Sequence, residues 1–79
     1  MRIYLGGYLS AYAAGQHWLE VEVQAPARLR EVLQRANVPP GEVYLVCVNG
    51  VMVDAEEAQV GPGDEVRLYP PVDGGTQAR

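Results

Sequence analysis

Apolar and polar residues alternate from the second position: Ile3 and Leu5 fall on one side of an extended segment, Arg2 and Tyr4 on the other. A period of two predicts a strand over residues 2–9. Gly6-Gly7 weaken that strand and predict a bulge or a close backbone approach. Residues 10–14, SAYAA, predict a short helical turn stopped by Gly15. The run HWLEVEV at 17–23 alternates again, with Leu19, Val21 and Val23 against Trp18, Glu20 and Glu22. It predicts a half-buried strand that pairs with the first across a short link.

The period then changes. Beyond Pro26, the residues Leu29, Val32, Leu33 and Ala36 stand at i, i+3, i+4 and i+7, one apolar stripe of a helix. Asn37 suits a left-handed stop, and Pro39-Pro40-Gly41 bars continuation. Residues 43–53, VYLVCVNGVMV, are almost continuously apolar and β-branched, the pattern of a strand buried on both faces. Asn49-Gly50 within that run marks a two-residue hairpin, with residues 51–53 returning as a short strand. Residues 55–58 predict a turn of helix, and Gly61-Pro62-Gly63-Asp64 a turn. In EVRLY at 65–69, Val66 and Leu68 point inward and Arg67 outward, before Pro70-Pro71 ends the strand. The elements sum to an α+β fold: a mixed four- to five-stranded sheet with one main helix on one face, the β-grasp arrangement. Residues 1–69 form the domain and residues 70–79 a flexible tail.

Composition narrows the function. The chain has 79 residues and a net charge of −4, with six dispersed arginines and no lysine. A nucleic-acid binder needs a clustered positive footprint, so that class ranks low, and an acidic surface suits a basic protein partner instead. The lysine-free composition reads as a bias toward arginine; in a ubiquitin-like modifier it would also deny an amine for chain building. No apolar run reaches the length of a membrane span, and MRIYLGGYL is a poor secretory signal, so a cytoplasmic protein is expected. Cys47 is the single cysteine; it reads as a small buried apolar residue, with no neighbouring cation to make it reactive.

Catalytic groupings are missing from the pattern. His17 is the single histidine, no second ligand stands at metal spacing, and no glycine loop matches a phosphate cradle. Glu56-Glu57 reads as a solvated pair, and no nucleophile stands with a base. The expectation is a protein that is not itself an enzyme and binds no cofactor or metal.

The tail is the unusual feature. Pro70-Pro71 stiffens the exit from the last strand, Val72 and Asp73 follow, and Gly74-Gly75 would enter a channel too narrow for a side chain. Residues 70–75, fully extended, reach roughly 20 Å. A carboxylate at the end of such a tail is a chemical handle for partners that supply the catalysis. Against this stands the plainer reading of a glycine-rich end without a role.

The blocks VNG at 48–50, GDEVRLYPPV at 63–72 and Gly74-Gly75 resemble the MoaD/ThiS group of ubiquitin-like sulfur carriers, over nearly the whole chain. The Pro-Pro looks more like the MoaD side. The resemblance implies that an adenylyltransferase of the MoeB/ThiF type uses Mg-ATP to adenylate the carboxylate of Gly75. A sulfur donor then leaves a thiocarboxylate, which passes to an acceptor such as a MoaE-like subunit in molybdopterin biosynthesis. Gly75 would carry the sulfur, Gly74 would give clearance, and Arg67, Tyr69, Pro70, Pro71 and Val72 would meet the partner. Chains of this type normally stop at the second glycine, whereas Thr76, Gln77, Ala78 and Arg79 follow here. Removal of residues 76–79 by a protease is therefore part of the expectation. Carriers for thiamine, cysteine, siderophore or tRNA sulfur chemistry share the pattern. A modifier joined to protein lysines through Gly75 and a plain interaction module stay open beside them.

Overall fold

The computed structural model describes residues 1–71. Two strands form first along the chain, β1 (Arg2–Leu5) and β2 (Trp18–Glu20), and they pair antiparallel with Ile3 opposite Leu19. A two-residue strand β3 (Ala27–Arg28) leads into the helix α1 (Leu29–Arg35). Then come β4 (Leu45–Val48), β5 (Val51–Val53), the two-residue β6 (Gln59–Val60) and β7 (Glu65–Tyr69). The main sheet has the order β2-β1-β7-β4-β5, with the first and last strands parallel at its centre. The expected mixed sheet with one main helix is present, and five strands is its count.

The alternation in β1 and β7 puts Ile3, Leu5, Val66 and Leu68 on one face, all at 0% exposure. The apolar stripe of α1, Leu29, Val32 and Leu33, is buried in the same core, with Ala36 half-buried at its end. Asn37 has φ 64°, the left-handed stop its position suggested. Asn49 and Gly50 have φ 52° and 85°, which gives the tight turn between β4 and β5 the twist that hairpins favour.

Several expectations need correction. The first strand ends at Leu5, not at residue 9: the chain turns at Gly6 and runs as a 3-10 helix from Gly7–Ala13, stopped by Ala14 at φ 55°. In the run 17–23 only Trp18–Glu20 is strand, although Val23 is still buried. The helix starts at Leu29 rather than beside Pro26, because Ala27 and Arg28 are used in pairing with Val60 and Gln59. The turn at residues 55–57 is not helical, and the carbonyl of Ala58 accepts the N–H of Leu29 at 2.9 Å. The apolar run 43–53 is buried on one face only. Tyr44 is 66% and Met52 64% exposed, and Cys47 is half-buried. A single α-helix covers one face, and among the described residues no second layer packs on the other. Strand β7 ends at Tyr69, and of residues 70–79, expected to form the tail, only Pro70 and Pro71 are among the described residues.

A clamp ties the β4–β5 turn to the start of β7. The amide of Asn49 donates to Asp64 Oδ1 at 3.0 Å, its side-chain oxygen accepts the N–H of Glu65 at 3.0 Å, and its own N–H donates to the carbonyl of Glu65 at 2.8 Å. Asp64 Oδ2 accepts the N–H of Gly61 at 2.8 Å. These bonds, Asn49 first and Gly61 next, hold the Asp64 carboxyl below its ordinary value of 3.8. The stabilisation is complete above that ordinary value and is lost as pH falls through the lowered one.

Two predictions follow from packing and clamp. Leu68→Ala, with Leu5 and Val46 as cross-strand neighbours, should lower unfolding free energy by about 2–5 kcal/mol in urea titration. Asn49→Ala should cost more stability at about pH 6 than at about pH 2.5; an equal shift of the urea midpoint at both would take Asp64 out of the clamp.

Candidate functional site

Two features meet at one end of β7: the root of the tail and the uncovered face of the sheet. β7 is paired on both sides, to β1 and to β4, so its last residues are held before the tail begins. The carbonyl of Leu68 accepts the N–H of Gly6 at 2.9 Å, and the carbonyl of Tyr69 accepts the N–H of Tyr44 at 2.8 Å. The segments on either side are linked as well. The hydroxyl of Tyr8, in the 3-10 helix after β1, donates to Glu42 Oε1 at 2.7 Å, in the short 3-10 helix Pro40–Glu42 before β4.

The open face is organised by register. Trp18 stands opposite Tyr4, Tyr4 beside Arg67, Arg67 opposite Cys47, and Cys47 opposite Met52. One row of side-chain positions thus crosses all five strands with Arg67 at its centre. The Arg67 guanidinium carbon lies 5.3 Å from the Trp18 ring centroid and 5.4 Å from that of Tyr4, within the range of cation–π attraction. Arg2 lies 4.2 Å over the other approach to Trp18. The Tyr4 ring meets Trp18 edge-on at 5.2 Å, stacks on His17 at 5.8 Å and tilts toward Tyr69 at 6.1 Å.

Arg67 is kept charged. Its hydrogen bond with the Tyr69 side chain, and then with the Glu65 carboxylate, holds the guanidinium pKa above its ordinary value. Glu65 Oε2 is 3.3 Å from Arg67 Nη2, and Glu65 Oε1 is 3.8 Å from Arg2 Nη1. Both pairs are well exposed, so they order the side chains more than they stabilise the fold. The result is an aromatic surface with Arg67 in its middle, flanked toward one end by the ion-paired Arg2, Glu20 and Glu65.

Of the residues singled out in the sequence, Arg67, Tyr69 and Pro70 share this region: the first two lie on the open face, and Pro70 is half-buried at the tail root. Pro71 is exposed. Val72, Gly74, Gly75 and residues 76–79 lie outside the described residues. Cys47, expected inside, sits instead on the outer row beside Arg67. His17 is structural: its Nδ1 is 2.7 Å from the Leu5 carbonyl, which can only accept, so Nδ1 donates, and the His17 carbonyl accepts the Leu5 N–H at 2.7 Å. Tyr4, Trp18 and Met52 were not singled out. The outward parity of Tyr4 and Trp18 was readable, and the Asn49-Gly50 turn places Met52 opposite Cys47.

Among the described residues no three His, Cys, Asp or Glu side chains are placed to hold a metal ion. No described helix is long and apolar enough to cross a membrane. An open groove of about 940 Å³ runs between residues 22–27 and Glu31, Gln34 and Arg35 of α1, but it contains none of the outer-row or tail residues.

Comparison with known proteins identifies a family. A model of the ThiS family matches residues 10–75, from the 3-10 helix through the second glycine of the tail, so its last matched residue is Gly75. No curated protein matches the chain. The match spans most of the sequence and the fold is the family's β-grasp: the chain belongs to the ThiS family of small sulfur carriers.

Proposed function

We propose that this chain carries sulfur on the carbonyl carbon of Gly75. The observation that supports this reading best is the tail itself: Gly74-Gly75 stands behind Pro70-Pro71, and the family match ends at Gly75 although four residues follow. A protease removes residues 76–79 and frees the Gly75 carboxylate. One carboxylate oxygen attacks the α-phosphorus of Mg-ATP held by an adenylyltransferase of the MoeB/ThiF type, and pyrophosphate leaves. Sulfide-level sulfur, HS⁻ from a donor, then attacks the acyl carbon, AMP departs with the carboxylate oxygen, and loss of the S–H proton to solvent leaves a thiocarboxylate. The nucleotide and its magnesium belong to the partner; this chain supplies the carboxyl group and the surface that presents it.

Arg67 and Tyr69 on the open face, with Pro70, Pro71 and Val72 at the tail root, form the docking surface. Glycine at 74 and 75 lets the tail pass through a channel that excludes side chains. The Pro-Pro pair favours the MoaD type, with a MoaE-like subunit as sulfur acceptor in molybdopterin biosynthesis. Thiamine, cysteine, siderophore and tRNA thiolation are the alternative destinations, and joining to protein lysines is the alternative chemistry.

Intact mass of untagged protein from its native organism tests the proposal. A mass ending at Gly75, with a fraction heavier by one oxygen-to-sulfur exchange, is expected; full-length chain under every growth condition would overturn it. Conjugates of higher mass would favour the modifier. In ATP–pyrophosphate exchange with the adenylyltransferase, Arg67→Glu in the chain ending at Gly75 should raise the KM for the carrier by about tenfold or more, and an unchanged KM would remove Arg67 from the docking surface.

A further inference from the structure

The two glycines at the end of β1 are required by neither the strand nor the carrier chemistry. Gly6 has φ −78° and ψ 159°, a conformation open to any residue, and it is buried. What excludes a side chain there is space. A Cβ on Gly6 would lie 2.8 Å from Cδ1 of Tyr69 and 3.0 Å from the carbonyl oxygen of Leu68. Gly7 has φ +52°, and a Cβ on it would lie 2.9 Å from Cγ and 3.3 Å from Cδ of Pro70. Carbon atoms in good contact stand about 3.5–4.0 Å apart. Gly15, Gly50 and Gly63 also have positive φ, but a Cβ on any of them would meet nothing within 4 Å. Those three serve backbone turns. Gly6 and Gly7 leave room for something, and the nearest atoms they leave room for belong to Leu68, Tyr69 and Pro70, the end of β7 and the first residue of the tail.

We infer that Gly6 and Gly7 are positioning residues that set the direction in which the tail leaves the sheet. The inference deepens the carrier reading proposed above and rests on it for its kinetic consequence, though not for its geometry. The carbonyls of Leu68 and Tyr69 are fixed by the N–H groups of Gly6 and Tyr44. The Tyr69 ring lies over Gly6 and the Pro70 ring over Gly7, closer than any side chain there would permit. Proline holds its own φ near −65°, so a seated Pro70 ring fixes the first bond of the exit. A side chain at position 6 displaces Tyr69 or the Leu68 carbonyl, and one at position 7 displaces the proline ring. A displaced root changes the point and the direction from which the tail presents its carboxyl group. Misplacing a reacting group by about 1 Å can cost about 100-fold in rate.

The test compares Gly6→Ala, Gly7→Ala and Gly15→Ala in the chain ending at Gly75. Gly15→Ala also places a side chain at positive φ, +87° against +52° at Gly7, but touches nothing within 4 Å. Pyrophosphate exchange with the adenylyltransferase should show kcat for Gly6→Ala and Gly7→Ala reduced by about tenfold or more, with the KM for the carrier unchanged. Partial unfolding would do the opposite, raising KM by depleting folded carrier while leaving kcat intact, and that pattern would overturn the inference. Gly15→Ala should lose stability without losing kcat. A second readout needs no enzyme: a nitroxide on Asp73→Cys in a Cys47→Ala background, with line broadening of the sheet amides measured by NMR. The broadening pattern should change in Gly6→Ala and Gly7→Ala and not in Gly15→Ala; an unchanged pattern overturns the inference. If the unsubstituted chain supports no exchange at all, the carrier reading fails, and the nitroxide pattern alone decides the role of the glycines.

Discussion

The parallel pairing of β1 with β7 is the contact on which the rest of this molecule depends. It places the last strand of the domain at the centre of the sheet, between β1 and β4, rather than at an edge. The core row, the aromatic outer row and the tail root are all arranged around β7. On one face Val66 and Leu68 join Ile3, Leu5 and Val46 in the fully buried core. On the other, Arg67 and Tyr69 collect Tyr4 and Trp18 around a fixed charge. One five-residue strand therefore faces the core with its even positions and the open side of the sheet with its odd ones.

Much of this was legible in the chain because it is written in periods. The alternation of Ile3 and Leu5 with Arg2 and Tyr4, the stripe Leu29, Val32, Leu33 and Ala36, and the Asn49-Gly50 turn each state their geometry locally. The strand–strand–helix–strand order then leaves few ways to build one sheet and one helix. What was not legible depends on neighbours distant in sequence. Two-residue strands such as Ala27–Arg28 and Gln59–Val60 carry no period at all. They exist because each supplies the other with hydrogen bonds. Their pairing also explains why α1 begins later than the proline suggested.

The apolar run around β4 shows a different limit. Its composition promised burial on both faces, but burial depends on whether a second layer exists. Here one helix covers one face, and Tyr44, Leu45 and Met52 are left on or near open surface. The row from Trp18 to Met52 was likewise invisible as a unit, since its five members come from five strands and meet only through register. Its central member was visible from the outward parity of Arg67 alone. The clamp at Asn49 is a third case: the residue announces a turn, while its bonds to Asp64 and Glu65 join two motif blocks that lie well apart in the chain.

The central position of β7 also governs how the domain would bear a load. A tail drawn into a partner's channel pulls on the end of the strand, along its axis. Because β7 is bonded on both flanks, that pull shears two ladders at once rather than peeling one open bond by bond. An edge strand in the same place would unzip from its free side. In the carrier reading proposed above, the tail is thus fastened to the part of the domain that resists traction best.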